Sequence, residues 1–322
     1  MNRNHIPVIT EDELSALVSW PDAVAVLEHA LLEGSAPGRT PLRSAVDVSS
    51  GQLLIMPSEV GAEVGVKLVS VSPGNGSRGL PRIQGVHLVL DGPTLSPVAL
   101  VDAVGLTLLR TAAVSAVAAR HLSEPSAHRL VVFGTGPQAW SHVRALSAVR
   151  PVREVTVVGR TPHRITALVE TCRQAGFEAH AGTPGSVAGA DIVACCTSAS
   201  TPLFDSRLLP DHATVIAMGS HFPDAREVDA ALVRRAAVVV ESRASAFEEA
   251  GDILLAVADG VPVEAAVDGE LGELVRGEFS PAHAGPRLFK SVGEAWSDVV
   301  VAGAAVSRLR EQLADTPENV AT

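Results

Sequence analysis

The amino-acid sequence predicts an α/β protein in which a doubly wound parallel sheet follows a smaller α+β region. After residue 129, short and fully apolar segments such as 130–133 and 155–158 alternate with helical segments. This alternation is typical of parallel strands covered on both faces by helices. Between residues 40 and 102, runs of β-forming residues are instead separated by Gly, Pro, Asn and Ser, which is typical of antiparallel strands joined by turns. A chain of 322 residues is long enough for about two domains.

The first elements are predicted to be a helical segment followed by strands. Thr10 and Glu13 form a capping-box pattern, in which the Thr10 hydroxyl can accept the amide hydrogen of Glu13. Apolar residues then recur at helical spacing until Gly34 ends the segment. They are Leu14, Leu17, Val24, Leu27 and Leu31. The strands expected next, at 51–56, 64–71 and 83–90, would form an antiparallel sheet or a small barrel.

Residues 103–121 are predicted to form a buried helix, because they are apolar on nearly every face. Arg110 lies in the middle of this segment. A buried guanidinium needs an anion beside it, since an unpaired buried charge is very costly. That anion is either the carboxylate of a substrate or a structural carboxylate such as Asp102 or Asp47.

The second half of the chain reads as alternating strands and helices. Apolar strands are expected at 130–133, 155–158, 191–196, 214–218 and 237–240, with helices at 138–149 and 164–175. A last helix over 294–313 is expected to pack back on the first domain.

The clearest motif is the loop after the first apolar strand of this half, which comprises Gly134, Thr135, Gly136, Pro137, Gln138 and Ala139. Gly134 permits a tight turn, Gly136 lets the backbone approach a pyrophosphate, and Ala139 allows close packing of helix on strand. The N-terminus of the helix would offer free N–H groups to phosphates. We therefore predict a Rossmann-type dinucleotide-binding domain over residues 121–294, and a second domain formed by 1–120 with 295–322.

The end of the strand at 155–158 indicates which dinucleotide is bound. An acid there would bind the ribose 2′-hydroxyl of NAD, but Glu154 precedes the strand and is expected at its opposite end. The positions after the strand carry Arg160, Thr161 and Arg164, and an Arg with a hydroxyl suits a 2′-phosphate. NADPH is therefore favoured over NADH. The alternative is that Arg160 is a solvated loop charge.

Composition excludes several classes of partner and site. The net charge of −11 argues against nucleic acid, which needs clustered Lys and Arg. The 47% of hydrophobic residues is dispersed, and the N-terminus has no apolar signal region, so no membrane association or secretion is expected. Cys172, Cys195 and Cys196 have no metal-ligand spacing, which predicts no metal site and a reducing, cytoplasmic location.

Two more cations are candidates for binding an anionic substrate. Lys67 lies in the strand at 64–71, on the same face as Val69 and Val71. A single Lys in a strand is otherwise typical of a solvated edge position. Arg43, taken alone, is more typical of an exposed surface residue.

Together these motifs resemble the ornithine cyclodeaminase/mu-crystallin family. The resemblance is carried, in the family order and over nearly the whole chain, by MP at 56–57, GVK at 65–67, TLLRTAA at 107–113, GTGPQA at 134–139, EAGD at 249–252 and FKSVG at 289–293. It implies a homodimer, with an α+β substrate-binding and dimerisation domain and a Rossmann domain. It also implies that Arg43, Lys67 and Arg110 hold the substrate's carboxylate and its reacting carbonyl, imine or amine.

The predicted cofactor site includes further positions near the ends of apolar strands. Thr197, Met218 and Gly219 are assigned to it. Lys290 matches a family position near the nicotinamide, and the alternative for it is an exposed side chain.

The sequence departs from the cyclodeaminase pattern at two acidic positions. His221 stands where those enzymes carry a catalytic Asp, and Leu54 replaces a second acid. A substrate with a distal ammonium group, such as ornithine or lysine, would therefore lack a partner. His221 could exchange a proton near neutral pH, or it could be a structural residue. Asp224 could replace the missing acid, but with Glu227 it forms a capping-box pattern that favours a helix cap.

The leading hypothesis is an NADPH-dependent reductase of small 2-imino or 2-oxo acids, acting as an amino-acid dehydrogenase or a cyclic-ketimine reductase. Arg43 and Arg110 would bind the carboxylate. Lys67 would bind and polarise the carbonyl or imine, or supply its proton, and His221 could relay a proton. The runner-up is an ornithine or lysine cyclodeaminase that uses bound NAD. A third possibility is a non-catalytic, NADPH-dependent ligand-binding protein.

Overall fold

The computed structural model describes residues 6–34, 41–281 and 285–315. The chain divides into two compact units. The first comprises the described residues up to Thr111 together with those from Glu294 onward, and the second runs from Ala112 to Gly293. The sequence analysis placed the two boundaries after residues 120 and 294.

The described strands and helices follow the predicted α/β pattern. The strands are β1 Val8–Ile9, β2 Ser44–Val48, β3 Gly51–Val60, β4 Glu63–Val71, β5 Ile83–Asp91, β6 Pro97–Asp102, β7 Arg129–Phe133, β8 Glu154–Val158, β9 Glu178–Ala181, β10 Ile192–Cys195, β11 Thr214–Ala217, β12 Ala237–Val240, β13 Gly269–Glu270 and β14 Arg287–Lys290. The α-helices are α1 Glu11–Leu17, α2 Trp20–Leu32, α3 Ala103–Leu122, α4 Pro137–Ser147, α5 Pro162–Gln174, α6 Ala230–Arg235, α7 Arg243–Glu249, α8 Gly251–Ala258, α9 Leu271–Val275 and α10 Ala295–Asp315.

The first unit contains a sheet with strand order β1-β6-β5-β4-β3-β2. All neighbouring strands are antiparallel except β1 and β6, which are parallel. The sheet ends at β1 and β2, so of the two predicted architectures it is the open sheet, not the small barrel. The helix α10 packs against β3, β4, β5 and α2. The capping box predicted at Thr10 is confirmed, and it begins α1.

The sheet of the first unit has a second, apolar face. The register places Ile55, Leu68 and Val86 side by side on β3, β4 and β5. Leu68 is 40% exposed and Val86 is 41% exposed. Lys67, one residue from Leu68, points to the opposite face, because side chains alternate along a strand.

The second unit contains a parallel sheet with strand order β13-β12-β14-β11-β10-β7-β8-β9. The predicted doubly wound fold is confirmed: the chain starts at β7, continues to β8 and β9 on one side, and returns to β10 and β11 on the other. The point between β7 and β10 is therefore the switch point at which such sheets bind nucleotides. The sequence analysis did not predict β14, which lies between β11 and β12. Its ends are Arg287 and Lys290, so it lacks the fully apolar pattern of its neighbours.

The helix α3 is long and apolar enough to cross a membrane by length and composition, and 78% of its most apolar window is buried inside the protein. A helix that is apolar on nearly all faces is typical of a protein core. Thr111, at the end of the first unit, and Ala112, at the start of the second, both belong to α3.

Candidate active site

The first unit contains a buried group of charged side chains, Lys67, Arg110 and Asp298, here called the cationic cluster. The Nζ of Lys67 on β4 lies 2.6 Å from Oδ2 of Asp298 on α10. The Nε of Arg110 on α3 lies 3.0 Å from Oδ1 of the same carboxylate. None of the three side chains is more than 6% exposed. One carboxylate thus faces two cations, which leaves a buried excess of positive charge.

The structural partner of Arg110 is therefore Asp298, and the two carboxylates suggested from the sequence were wrong. Asp102 accepts a hydrogen bond of 2.7 Å from the N–H of Gly105 at the start of α3. Asp47 lies on the exposed strand β2 and accepts a hydrogen bond of 3.0 Å from Gln52. The actual partner, Asp298, comes from the last helix instead.

Lys67 is not the solvated edge residue that was the alternative. Its strand β4 lies between β3 and β5, and Lys67 is 2% exposed. Its Nζ also lies 3.4 Å from the hydroxyl of Thr107. Across β3, Met56 is opposite Lys67 and Leu54 is opposite Val69, so these side chains share the face that packs against α10.

The surroundings of Lys67 change its acidity. Burial and the charge of Arg110 lower the pKa of Lys67 to about 7, although the Asp298 carboxylate opposes this shift. The half-buried Arg43 acts in the same direction as Arg110, which places its charge within reach of Lys67. Burial alone would raise the pKa of Asp298, but Arg110 and Lys67 hold it below its usual value. Lys67 can therefore exchange a proton near neutral pH beside a carboxylate that stays ionised.

A buried histidine explains the glycine in the GVK segment. His87 on β5 lies opposite Lys67, and burial lowers the pKa of His87 to about 4, so its ring is neutral. A Cβ on Gly65 would lie 2.5 Å from Nε2 of this ring. A side chain at residue 65 would therefore collide with the imidazole. Within the described part of the chain, neither ring nitrogen has a hydrogen-bond partner.

The predicted phosphate loop has the geometry that a pyrophosphate requires. Gly134 follows β7 with φ of +110°, and a Cβ there would lie 2.4 Å from the carbonyl oxygen of Cys196. Gly136 is the N-cap of α4, which has no side-chain cap, and a Cβ on Gly136 would meet no atom within 4 Å. Ala139 is fully buried. The residues fit a dinucleotide, because the first turn of α4 presents its backbone to open space.

The residues predicted to select NADPH follow β8. Arg160 and Arg164 are exposed, and Thr161 is the N-cap of α5. Glu154 pairs with Arg129 at the start of β7, whereas the phosphate loop follows the end of that strand. Glu154 is therefore at the end of the sheet away from the phosphate loop, as the sequence analysis expected.

A second buried group of charged side chains, Glu227, Asp252 and Lys290, lies near the carboxyl ends of the parallel strands and is here called the strand-end cluster. Lys290 ends β14 and is 1% exposed, so it is not the exposed side chain that was the alternative. Its Nζ lies 2.7 Å from Oδ2 of Asp252. The Glu227 carboxylate contacts the predicted cofactor residues Thr197 and Gly219. Met218 precedes Gly219 and is half-buried.

The helix cap predicted at Asp224 is wrong. The next helix, α6, begins at Ala230 and is capped by Asp229, which accepts a hydrogen bond of 2.8 Å from Leu232. Glu227 turns inward instead of forming a capping box, and Asp224 lies exposed in a turn. His221 follows β11, is half-buried and packs its ring 4.3 Å from that of Phe222.

The sequence analysis missed the acids that organise both clusters. Asp298 itself offered a signal in the sequence. It is an acid within an apolar helix, and such an acid needs a cation as much as Arg110 needs an anion. Asp252 lies within the EAGD segment but received no role, and Glu227 was assigned to a helix cap. Among the described residues, no group of three or more His, Cys, Asp or Glu is placed to hold a metal ion.

Comparison with known proteins extends over almost the whole chain. Residues 9–312 match the model of the ornithine cyclodeaminase/mu-crystallin family. The Δ1-pyrroline-2-carboxylate reductase of Bacillus cereus strain ZK / E33L is 35% identical over 306 residues, which cover 92% of this chain and 94% of that protein.

Two solved structures share the fold over similar lengths. The Thermococcus litoralis Δ1-pyrroline-2-carboxylate reductase in complex with NADH and L-proline has a TM-score of 0.89 at 28% identity, covering 95% of this chain and 98% of that one. An archaeal alanine dehydrogenase dimer with bound NAD has a TM-score of 0.88 at 25% identity, covering 96% and 98%. The chain therefore belongs to the ornithine cyclodeaminase/mu-crystallin family.

Proposed function

We propose that the chain is an NADPH-dependent reductase of small 2-imino or 2-oxo acids, with cyclic 2-imino acids as the main class. The predicted class, an oxidoreductase acting on carbon–nitrogen bonds, is confirmed by its relatives. The observation that carries the proposal is the buried Lys67, which shares the Asp298 carboxylate with Arg110 and titrates near neutral pH. Pyrroline-2-carboxylate, the substrate named for the bacterial relative, is itself a small cyclic 2-imino acid.

The excess positive charge of the cationic cluster is suited to a substrate carboxylate. The Nε of Arg110 pairs with Asp298, which leaves the terminal nitrogens of its fork for a bidentate contact with the two carboxylate oxygens. Arg43 adds a second cation from the segment before β2. A carboxylate bound by both arginines would bring the adjacent C2 and its imine nitrogen towards Lys67.

Lys67 is the proton donor in this proposal. The protonated Nζ would donate its proton to the imine nitrogen, or to a carbonyl oxygen, while Asp298 holds the ammonium group in place. The dinucleotide, when bound, supplies the hydride that C2 accepts. His221, after β11, is proposed as a second group that can exchange a proton with solvent.

The proposed domain roles follow from the two sites. The first unit would bind the substrate, and the second unit would bind the dinucleotide through residues 134–139.

Preference for NADPH rests on Arg160, Thr161 and Arg164, and on the location of Glu154 at the other end of β8. Arg160→Ser should raise KM for NADPH about tenfold and leave KM for NADH unchanged. Equal changes for both cofactors would contradict this preference.

The face that Lys67 occupies also disfavours the cyclodeaminase reaction. Leu54, which replaces a family acid, lies on this face and offers no carboxylate to a distal ammonium group. We expect no formation of proline and ammonia from ornithine. Ring-closed substrates without a second charged group suit the apolar side chains of Leu54 and Met56.

The apolar face of the first-unit sheet is proposed to form a homodimer. Leu68 and Val86 leave contiguous apolar surface exposed, which is typical of protein–protein contacts. The archaeal alanine dehydrogenase structure is described as a dimer. Leu68→Glu should yield monomers in size-exclusion chromatography with light scattering.

The free cysteines Cys172, Cys195 and Cys196 support a cytoplasmic location, since they suit a reducing compartment.

An NADPH-oxidation screen tests the proposed function. It should include the five- and six-membered cyclic 2-imino acids and pyruvate with ammonia or methylamine. Oxidation of NADPH with at least one imino acid is the expected result, and a separate assay with NAD should detect no proline or ammonia formed from ornithine. Tight NADPH binding without turnover of any imino or oxo acid would instead support a non-catalytic ligand-binding protein.

A further inference from the structure

The strand-end cluster connects backbone segments that lie far apart in sequence. Glu227 and Asp252 are fully buried, and Lys290 is 1% exposed. All three belong to the second unit. The structure therefore keeps two carboxylates and one ammonium group out of water at the carboxyl ends of the strands.

Glu227 joins the segments that follow β10 and β11. Its Oε1 accepts hydrogen bonds from the N–H of Thr197 at 2.8 Å and from the Thr197 hydroxyl at 2.7 Å. Its Oε2 accepts the N–H of Gly219 at 2.7 Å. The approach is close, because a Cβ on Gly219 would lie 2.6 Å from Oε1. A single carboxylate thus joins the two segments just beyond the strand ends.

Asp252 and Lys290 hold Glu227 in turn. The Oδ1 of Asp252 accepts the backbone N–H groups of Glu227 at 2.6 Å and Val228 at 2.9 Å. Its Oδ2 pairs with Lys290, whose Nζ also donates to the carbonyl oxygen of Ser220 at 2.6 Å. The segment after β11 is therefore fixed at both Gly219 and Ser220.

Buried ion networks are poor devices for stability alone. Desolvation of the charges offsets most of their mutual attraction, and apolar residues of similar size often stabilise a fold as well or better. What a charged network does provide is a fixed geometry for the groups that it binds. Here those groups are the backbone and hydroxyl donors just beyond β10 and β11.

The sheet order places these segments beside one half of a bound dinucleotide. The phosphate loop follows β7, and the residues proposed for the 2′-phosphate follow β8 on one side of it. A dinucleotide lies across the switch point, so its other half extends over the ends of the strands on the opposite side. Those strands are β10 and β11, so the half that carries the nicotinamide would extend over their ends.

We propose that Glu227 is a positioning residue for the nicotinamide end of the dinucleotide, acting through the segments that begin at Thr197 and Gly219. The inference rests on the proposed dinucleotide binding. The ring would lie against this backbone, so its placement would depend on the carboxylate that binds the N–H groups of Thr197 and Gly219. Loss of the carboxylate should affect the nicotinamide end and leave the adenosine end unchanged.

Binding of two ligands tests the inference without any turnover. Wild type, Glu227→Gln and Thr197→Val should be titrated calorimetrically with NADPH and with 2′-phospho-ADP-ribose, which lacks only the nicotinamide. Glu227→Gln should weaken NADPH binding at least about tenfold and binding of the fragment less than about twofold. Thr197→Val keeps the Glu227 carboxylate, and it should also weaken NADPH binding more than binding of the fragment, but by a smaller factor. It supplies the answer if Glu227→Gln does not fold.

Asp191→Asn is the matched control, because Asp191 is a buried carboxylate at the opposite end of β10. It accepts N–H groups of His128 and Arg129, each at 3.0 Å. This variant should have a lower melting temperature. It should not weaken the binding of NADPH relative to the binding of the fragment, or the reverse. Equal weakening of both ligands by Glu227→Gln, or no weakening, would overturn the inference. If the wild type binds neither ligand, dinucleotide binding itself fails, and the inference fails with it.

Discussion

The two buried clusters of charged residues are built from the same groups but carry excess charge of opposite sign. Each contains a Lys–Asp pair, with N–O distances of 2.6 Å in the cationic cluster and 2.7 Å in the strand-end cluster. The cationic cluster adds a second cation, Arg110, and the strand-end cluster adds a second carboxylate, Glu227. The third member decides what each cluster can do.

Burial shifts the acidity of one group in each cluster, in opposite directions. Burial and Arg110 lower the pKa of Lys67 to about 7. Burial, with a smaller contribution from Asp252, raises the pKa of Glu227 to about 7, against the opposing effect of Lys290. The surplus cation of the first cluster is suited to an anionic ligand. The surplus carboxylate of the second is instead occupied by the hydrogen-bond donors of Thr197 and Gly219.

Lys67→Met should have the largest effect on activity. Removal of the proton donor should lower kcat by roughly 10²- to 10⁴-fold, the usual contribution of a general acid. The variant should not lose stability near neutral pH, because Asp298 keeps Arg110 as its partner and the cost of burying the Lys67 ammonium group is removed. Steady-state kinetics and urea unfolding of the same preparation measure both. An unchanged kcat would remove Lys67 from the chemistry.

Lys290→Met is the same substitution in the other cluster, so each variant serves as the control for the other. It leaves Asp252 and Glu227 buried without a cation, which should cost about 3–5 kcal/mol of unfolding free energy. Its kcat per folded molecule should fall much less than that of Lys67→Met. Equal losses of unfolding free energy in the two variants would show that the third charged residue of each cluster, Arg110 or Glu227, does not determine how the cluster affects stability.

The parts of this picture that follow from neighbouring residues were predictable from the sequence. The capping box at Thr10 and the turn at Gly134 depend on a few adjacent positions, and the structure has both. The burial of the helix around Arg110 followed from its apolar faces. Each of these features is a local pattern, which one sequence is enough to show.

The parts that depend on distant residues were not predictable. The return of the last helix to the first domain was expected, but the pairing of its Asp298 with Lys67 and Arg110 was not, because no pattern near either cation indicates it. Glu227 has the spacing of a capping box, but its carboxylate contacts strand ends and not a helix. β14 is a central strand with polar ends, which periodicity alone does not distinguish from a loop.

Asp298→Asn should move the pH profile of the reduction. The Asp298 carboxylate opposes the lowering of the Lys67 pKa, so its removal should lower that pKa further. Because Lys67 must be protonated to donate, the decline of kcat on the alkaline side should begin about one pH unit lower than in the wild type. A profile that does not move would show that another group donates the proton. Asp191→Asn, in the second unit, should leave the profile unchanged.

The pH dependence of stability should differ in sign between the two clusters. The pKa of Glu227 is raised from its ordinary value of 4.5 to about 7, so in this window the native state keeps a proton that the unfolded state releases. Its contribution to stability is present below pH 4.5 and is lost as the pH rises towards 7. The pKa of Lys67 is lowered from 10.5 to about 7, so here the unfolded state binds the extra proton. Its contribution is present above pH 10.5 and is lost as the pH falls towards 7.

Unfolding in urea at a series of pH values separates the two contributions. Each group contributes at most about 1.4 kcal/mol per pH unit within its own window. Glu227→Gln should remove the decline in stability between pH 4.5 and 7, and Lys67→Met should remove the rise between pH 7 and 10.5. If either variant altered the other window instead, the two pKa shifts would not belong to Lys67 and Glu227.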